Sequence, residues 1–495
     1  MRNARGGWVL VASAFGLVVA CSSFDASDTV TPGTDAGLDA ANPPVGGDPV
    51  GVVTLGVPKD LVLVQNQDLV VDVTITRTPP ESGITLSMVG LPSGIAVAPV
   101  DVPATTASAK LSFVVSKLAA QGPLNGVMLE ARSGARIVKQ VPLTGSVRGG
   151  AGELDTTFGT AGIVALDNDF NQLAMAEDGA FYVLQQSSPY AVRKYTKDGV
   201  LNTTFATSGV YTPNASVGSI AWHAPYLFLA GTTGTEWYAR RLDANGALDT
   251  TYGAAGTYLQ TVSGTNAVKR IAVGPSGEAV VVGTIDGTTA VAWVSSTGTA
   301  GQATGGGLSL QKTLLYPITH ALHEGSRWLG TYGNAVFRMV TPTHGFDPSF
   351  APSGAYPVGA GFALSFLALD SAKNYVVGGL EVAGDYLLVA RLTPDGKPDA
   401  TFATNGIFLP KLATNGGGGA LAVSGDKILQ VGTIIDGVDY KCIIVRYTHD
   451  GKLDSSWADA GKYTSPFTGC YAGEVAPQPD GRVVVSGTKL LRLWP

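Results

Sequence analysis

The chain beyond about residue 150 is constrained most by one short stretch, Gly152-Glu-Leu-Asp-Thr-Thr-Phe158, which keeps returning. The copies run Val200 to Phe205, Ala247 to Tyr252, Phe346 to Phe350, Pro398 to Phe402 and Leu453 to Trp457, each after a turn pair such as Asp-Gly or Asn-Gly. Its Asp position falls at 155, 202 (an Asn), 249, 347, 399 and 454, in steps of 47, 47, 98, 52 and 55. The long step is two periods around one eroded copy, Ser296 to Gly306, which makes seven junctions. A fixed period near fifty residues means supersecondary units that bury their apolar faces only against one another.

One unit reads as four short strands: Gly162 to Ala165, Gln172 to Ala176, Ala180 to Gln185 after Asp178-Gly179, and Tyr190 to Thr196 before Asp198-Gly199. Later units keep the order, as in Ile271-Ala-Val then Ala279-Val-Val-Val-Gly, or Leu421-Ala-Val then Ile428-Leu-Gln-Val-Gly. Four strands per fifty residues is the arithmetic of a propeller blade. No unit has a 3.6-residue period, which excludes a helical solenoid. Charged residues at 14% and 65 glycines in 495 suit many short strands joined by tight turns. The expected fold is all-β: a seven-bladed β-propeller over residues 150–495, preceded by a β-sandwich domain.

A basic residue stands just before each turn: Lys194, Arg241, Arg338, Arg391, Arg446 and Arg492. The eroded copy follows Trp293 instead, and the copy after Lys194 has Asn202. Arg and Asp therefore come and go together, which predicts structural pairs across the turn: Arg241 with Asp249, Arg338 with Asp347, Arg391 with Asp399, and Arg446 with Asp454. The aromatic residues that end the motif, Phe158, Phe205, Tyr252, Phe350, Phe402 and Trp457, read as wedges between neighbouring blades. Arg492 is followed by no Asp, and Asp155 is preceded by no Arg. Docking Leu154 to Ala165 as the outer strand of the last blade closes the ring and pairs Asp155 with Arg492.

The motif, the Gly four residues after its aromatic, the hairpin ending Val-Gly-Thr and the strand ending Ala-Arg-Leu or Val-Arg-Tyr together resemble the delta-sixty repeat of bacterial secreted and surface proteins. The likeness covers roughly residues 152 to 495. It implies a β-propeller and no defined activity.

Ahead of the repeats, residues 1–20 read as a secretory leader: Arg2, Arg5, then an apolar run from Trp8 to Ala20. Val18-Val-Ala-Cys21 resembles a bacterial lipobox, which implies lipidation of Cys21 and, with Ser22 following, an outer-membrane or cell-surface position in the cell envelope. Residues 21–50 carry five Asp and no Lys or Arg among Pro, Gly, Ala and Thr, the composition of an acidic tether. Residues 51–148 alternate with period two in about seven short strands, pointing to a β-sandwich. Ile84 to Val100 resembles bacterial immunoglobulin-like spacer modules. With Cys21 used, Cys442 and Cys470 remain; they fall on one mouth of adjacent blades, either bridged or as two buried thiols.

Candidate chemistry is thin. His320 and His323 form H-x-x-H, yet they fall on a strand and on the turn after it, so no shared metal is expected; with His223, His344 and His449 they read as solvated turn residues. Asp167-Asn-Asp169 is a weak calcium signal, and Gly305 to Gly307 and Gly416 to Gly419 read as strand connections. No catalytic residue, metal or cofactor is assigned. The net charge of −6, or −8 once the leader's two arginines leave, argues against nucleic acid. The leading reading is a monomeric, membrane-anchored binding or scaffolding module with a protein or polysaccharide ligand. A propeller lyase or hydrolase acting on a glycan, and an adhesive structural protein, stay open as alternatives.

Overall fold

The computed structural model describes residues 52–78, 83–166, 172–299, 318–324, 326–340, 345–383, 386–412 and 418–495. The leader, Cys21, the acidic tether, Asp167 to Asp169, His344 and Gly305 to Gly307 lie outside them, as do most of the eroded copy and the start of the second glycine run. All regular elements of the described residues are strands.

The described residues between 53 and 148 form three sheets. One has the order Val53–Gly56, Leu69–Arg77, Ser108–Val115, Ile95–Val97; a second has Arg136–Pro142, Met128–Ser133, Ile84–Val89, Val100–Val102. The two share one core that includes Val73, Leu86, Phe113, Leu129 and Ala131. In Leu69–Arg77 the residues alternate buried and exposed, so the period-two pattern is the imprint of one covered face. The third sheet pairs Leu61–Val64 in parallel with Gly145–Arg148, and Gly122–Pro123 antiparallel to the latter. Among the described residues there are eleven strands here against about seven expected from sequence. The difference comes from pieces of two to four residues, such as Val100–Val102, too short to show alternation.

Among the described residues seven antiparallel sheets follow, each led by an inner strand: Gln172–Met175, Ser216–His223, Asn266–Val273, Ile318–Glu324, Phe362–Leu369, Gly418–Ser424 and Ala472–Pro477. Each inner strand packs on the next, and the seventh packs on the first. The ring is a β-propeller. It closes with Ile163–Ala165, which runs antiparallel to Lys489–Leu493 as the outer strand of the last sheet, Ile163 opposite Leu491.

The repeated motif builds the corner between one sheet and the next. Asp155 Oδ1 accepts from the backbone N–H and the hydroxyl of Thr157, and the same Asx turn recurs at Asn202, Asp249, Asp347, Asp399 and Asp454 with Thr or Ser two residues on. The aromatic that follows drops into the seam. Phe158 is fully buried between Val484 and Leu490 of the seventh sheet and Phe181, Val183 and Tyr195 of the first. Phe205, Tyr252, Phe350, Phe402 and Trp457 fill the next seams in the same way. In the third sheet Trp293 stands at the arginine position and packs edge-on against Trp328 of the fourth at 5.7 Å. The glycine four residues after each aromatic holds φ between 81° and 91°, and a Cβ at Gly162 would meet Leu154 Cγ at 2.6 Å.

Candidate functional site

The basic residues do more than the sequence predicted. Arg241, Arg338, Arg391, Arg446 and Arg492 each donate from Nε to the Oδ2 of their own motif Asp at 2.7–3.0 Å. The same guanidinium lies over the wedge ring, for example 4.9 Å from the Phe158 centroid for Arg492. Four of these arginines then reach a backbone carbonyl on the following sheet: Arg241 to Ser296, Arg338 to Pro394, Arg391 to His449, and Arg492 to Lys197. Lys194, which faces Asn202, keeps the place over the wedge ring, 6.0 Å from the Phe205 centroid, and the contact to the next sheet, to the Ala244 carbonyl at 3.0 Å. Each of these four arginines thus clamps two sheets.

Burial alone would push the carboxyls of Asp249, Asp347, Asp399 and Asp454 up; hydrogen bonds from the Thr or Ser two residues on and from the arginine outweigh it and hold each below the ordinary 3.8. A carboxyl with a lowered folded-state value gives stability that is full above the unfolded-state value and is lost as pH falls through the folded one. We therefore expect the urea midpoint to be flat above about pH 5 and to fall below about pH 4. Asp347→Asn and Asp399→Asn should each lower the neutral midpoint and make the acid decline shallower; an unchanged acid decline would refute this.

Cys442 and Cys470 form a disulfide with 5.2 Å between their Cα atoms, linking the third strand of the sixth sheet to the approach of the seventh.

The site that sequence reasoning missed lies on the ring axis. All six longer inner strands break register at one place, between Val217 and Ser219, Val268 and Arg270, Ile318 and His320, Leu364 and Phe366, Gly418 and Leu421, and Ala472 and Val475. Such bulges re-aim side chains. They bring Gln172, Ser219, Arg270, His320, Phe366, Ala420 and Glu474 to one register position around the ring. Three of these stitch neighbouring sheets: Glu474 Oε2 accepts from Leu173 N–H, Gln172 Oε1 from Ile220 N–H, and Ser219 Oγ from Ile271 N–H. Arg270 crosses the axis instead. Its Nη1 meets Glu474 Oε1 at 2.6 Å, joining the third sheet to the seventh.

Above this bar is a pocket of about 340 Å³ lined from all seven inner strands, with walls such as Leu173, Ile220, Ala272 and Val475 and a rim that includes Met175, Trp222 and His323. His323 corrects the expectation of a solvated turn residue: its side chain is 2% exposed, against Trp328 with ring centroids 4.1 Å apart. Burial pushes its imidazole down, opposed by Glu278. The side chain of His320 is outside the description, and the described residues hold no group of three metal-ligating side chains.

A family model described as a domain of unknown function (DUF5122) beta-propeller matches residues 375–402. No curated protein matches the chain. Among solved structures it is similar to a quinonprotein alcohol dehydrogenase-like protein from Bacteroides thetaiotaomicron VPI-5482, at 10% identity over 71% of this chain and 94% of that one, with a TM-score of 0.30. It is also similar to the β-propeller domain of Nup133 from Vanderwaltozyma polyspora, at 9% identity over 67% and 97%, with a TM-score of 0.37. A prolyl endopeptidase is similar at 11% identity over 82% of this chain and 54% of that one, with a TM-score of 0.39. No ligand or activity passes from them to this chain.

Proposed function

We propose that the protein is a lipid-anchored binding or scaffolding module of the cell envelope. In this reading residues 1–20 are a leader, Cys21 carries lipid, residues 21–50 are a tether, residues 51–148 an immunoglobulin-like spacer, and residues 150–495 a propeller of delta-sixty repeats acting as a monomer. The observation that carries the binding role is the axial pocket. Its lining sets polar atoms among apolar side chains, and the two charges at its floor already neutralise each other, which suits holding a ligand more than attacking one. The stitched inner strands give the pocket a pre-formed shape, so binding costs little ordering.

Two measurements test this. Capture from envelope fractions and polysaccharides by the full mature chain should be lost on Ala221→Trp, which fills the pocket, while the melting temperature holds; undiminished capture would remove the pocket from the function. For the anchor, Cys21→Ser should move the protein from the membrane to the soluble fraction, because acyl chains and not the acidic tether supply membrane affinity. Equal membrane retention of variant and wild type would sink the anchor.

A further inference from the structure

The axial pocket changes chemistry with depth. At the floor, Arg270 spends Nη1 on Glu474, and its Nε and Nη2 meet no acceptor among the described residues. Its guanidinium also lies 5.4 Å from the centroid of the Phe366 ring. The middle band carries aliphatic side chains, Leu173, Ile220, Ile271 and Leu421. At the rim the Trp222 indole is held still: it stacks on Tyr182 at 5.3 Å and 20°, and its N–H donates to Glu177 at 2.6 Å. Beside it on the lining is His323, whose two ring nitrogens have no hydrogen-bond partner although the side chain is 98% buried. Glu278 Oε1 lies 3.0 Å from His323 Nε2 but off the hydrogen-bond line. Both nitrogens are closed off by their surroundings, so the imidazole shapes the rim through its packing on Trp328 and not through a free polar atom.

A matching ligand presents an acceptor at its tip, a small apolar group behind it, and a ring bearing hydroxyls at the rim. The acceptor is uncharged, since Glu474 already occupies one edge of Arg270 and would repel a second carboxylate. At roughly 30 Å³ of liquid volume per water-sized group, the pocket takes about ten such groups, enough for an acetamido group and much of one pyranose ring. Resting on the binding reading above, we propose that the axial pocket binds the terminal N-acetylhexosamine of a glycan. The acetamido carbonyl accepts from Arg270, its methyl packs on the aliphatic band, and the ring lies against Trp222.

The test is calorimetric titration of the full mature chain with N-acetylglucosamine, N-acetylgalactosamine, glucosamine, glucose and acetate. Binding of at least one acetylated sugar with Kd on the order of mM is expected, as for other single small ligands. The deacetylated sugars should bind at least about tenfold more weakly, and Arg270→Met and Trp222→Ala should each cost about tenfold. Equal affinity for glucose, acetate competing as well as the acetylated sugars, or no binding of either acetylated sugar to the wild type would each overturn the proposal. The sugar panel on the wild type needs no variant to fold. If the acetylated sugars fail while Ala221→Trp still abolishes envelope capture, the sugar assignment falls and the binding reading stands; if capture survives Ala221→Trp, that reading falls.

Discussion

Arg492→Met should destabilise the protein by about 3 kcal/mol, the lower end of what removing one partner of a buried ion pair costs. Both Arg492 and Asp155 are fully buried. Besides Asp155, the guanidinium serves the Lys197 carbonyl, Asp198 Oδ1 at 3.1 Å and Thr157 Oγ1 at 3.2 Å. Its loss strands several acceptors at the seam between the seventh and first sheets. Arg482 Nη1, 3.1 Å from Asp155 Oδ2, stays behind as a partial counter-charge and keeps the cost from the upper end of the range. Asp155→Asn leaves Arg492 buried without its charge, so it should cost a similar amount. The double variant should cost clearly less than the two singles together, because the pair is removed as a unit. Arg446→Met is the internal comparison: its side chain is 13% exposed, and among the described residues it makes no hydrogen bond beyond Asp454. Urea midpoints showing equal losses for Arg446→Met and Arg492→Met would refute the view that spanning two sheets is what makes Arg492 costly.

What the sequence disclosed and what it hid divide along a physical line. The Arg–Asp pairing was legible because both partners sit in one unit, eight or nine residues apart, and are lost together at Trp293 and Asn202. The second grip of the same arginines was hidden because a backbone carbonyl has no sequence signature: Ser296, Pro394, His449 and Lys197 share no side chain, only a place in the next sheet. The wedges were legible as an aromatic at a fixed motif position. The Asx turn under them has a signature too, the Thr or Ser that stands two residues after each Asp. Arg270 and Glu474 are 204 residues apart in different units and meet only because the ring brings opposite inner strands within a side chain's reach of the axis. Aligning the inner strands on their following Gly would have put both at one position, but the bulge there breaks the period-two pattern that the alignment relies on.

Replacing residues 154–165 by an equal length of Gly and Ser should unfold the propeller as a whole rather than loosen one edge, while keeping the link to the first domain long enough to span. The replaced stretch carries the strand paired with Lys489–Leu493, the Leu154 bridge to Leu493, the buried Asp155 and the Phe158 wedge. Phe158 alone should be worth about 3–5 kcal/mol, the usual loss for a buried Phe cut to Ala, comparable with the 5–15 kcal/mol by which domains are stable. Losing the strand also bares Lys489–Leu493 as an edge, an invitation to pair with another chain. In the other sheets with a described motif, that motif follows its own third strand through a tight turn, so the same residues need not arrive from the far end of the chain. Appending a turn and residues 153–166 after Pro495 of the Gly/Ser variant should therefore restore a single cooperative melt, with Asp155 and Phe158 back in place from the other side. A Gly/Ser variant that melts like the wild type would show that the ring does not depend on this strand. An appended copy that restores nothing would show that the segment acts through its link to the first domain and not through closure.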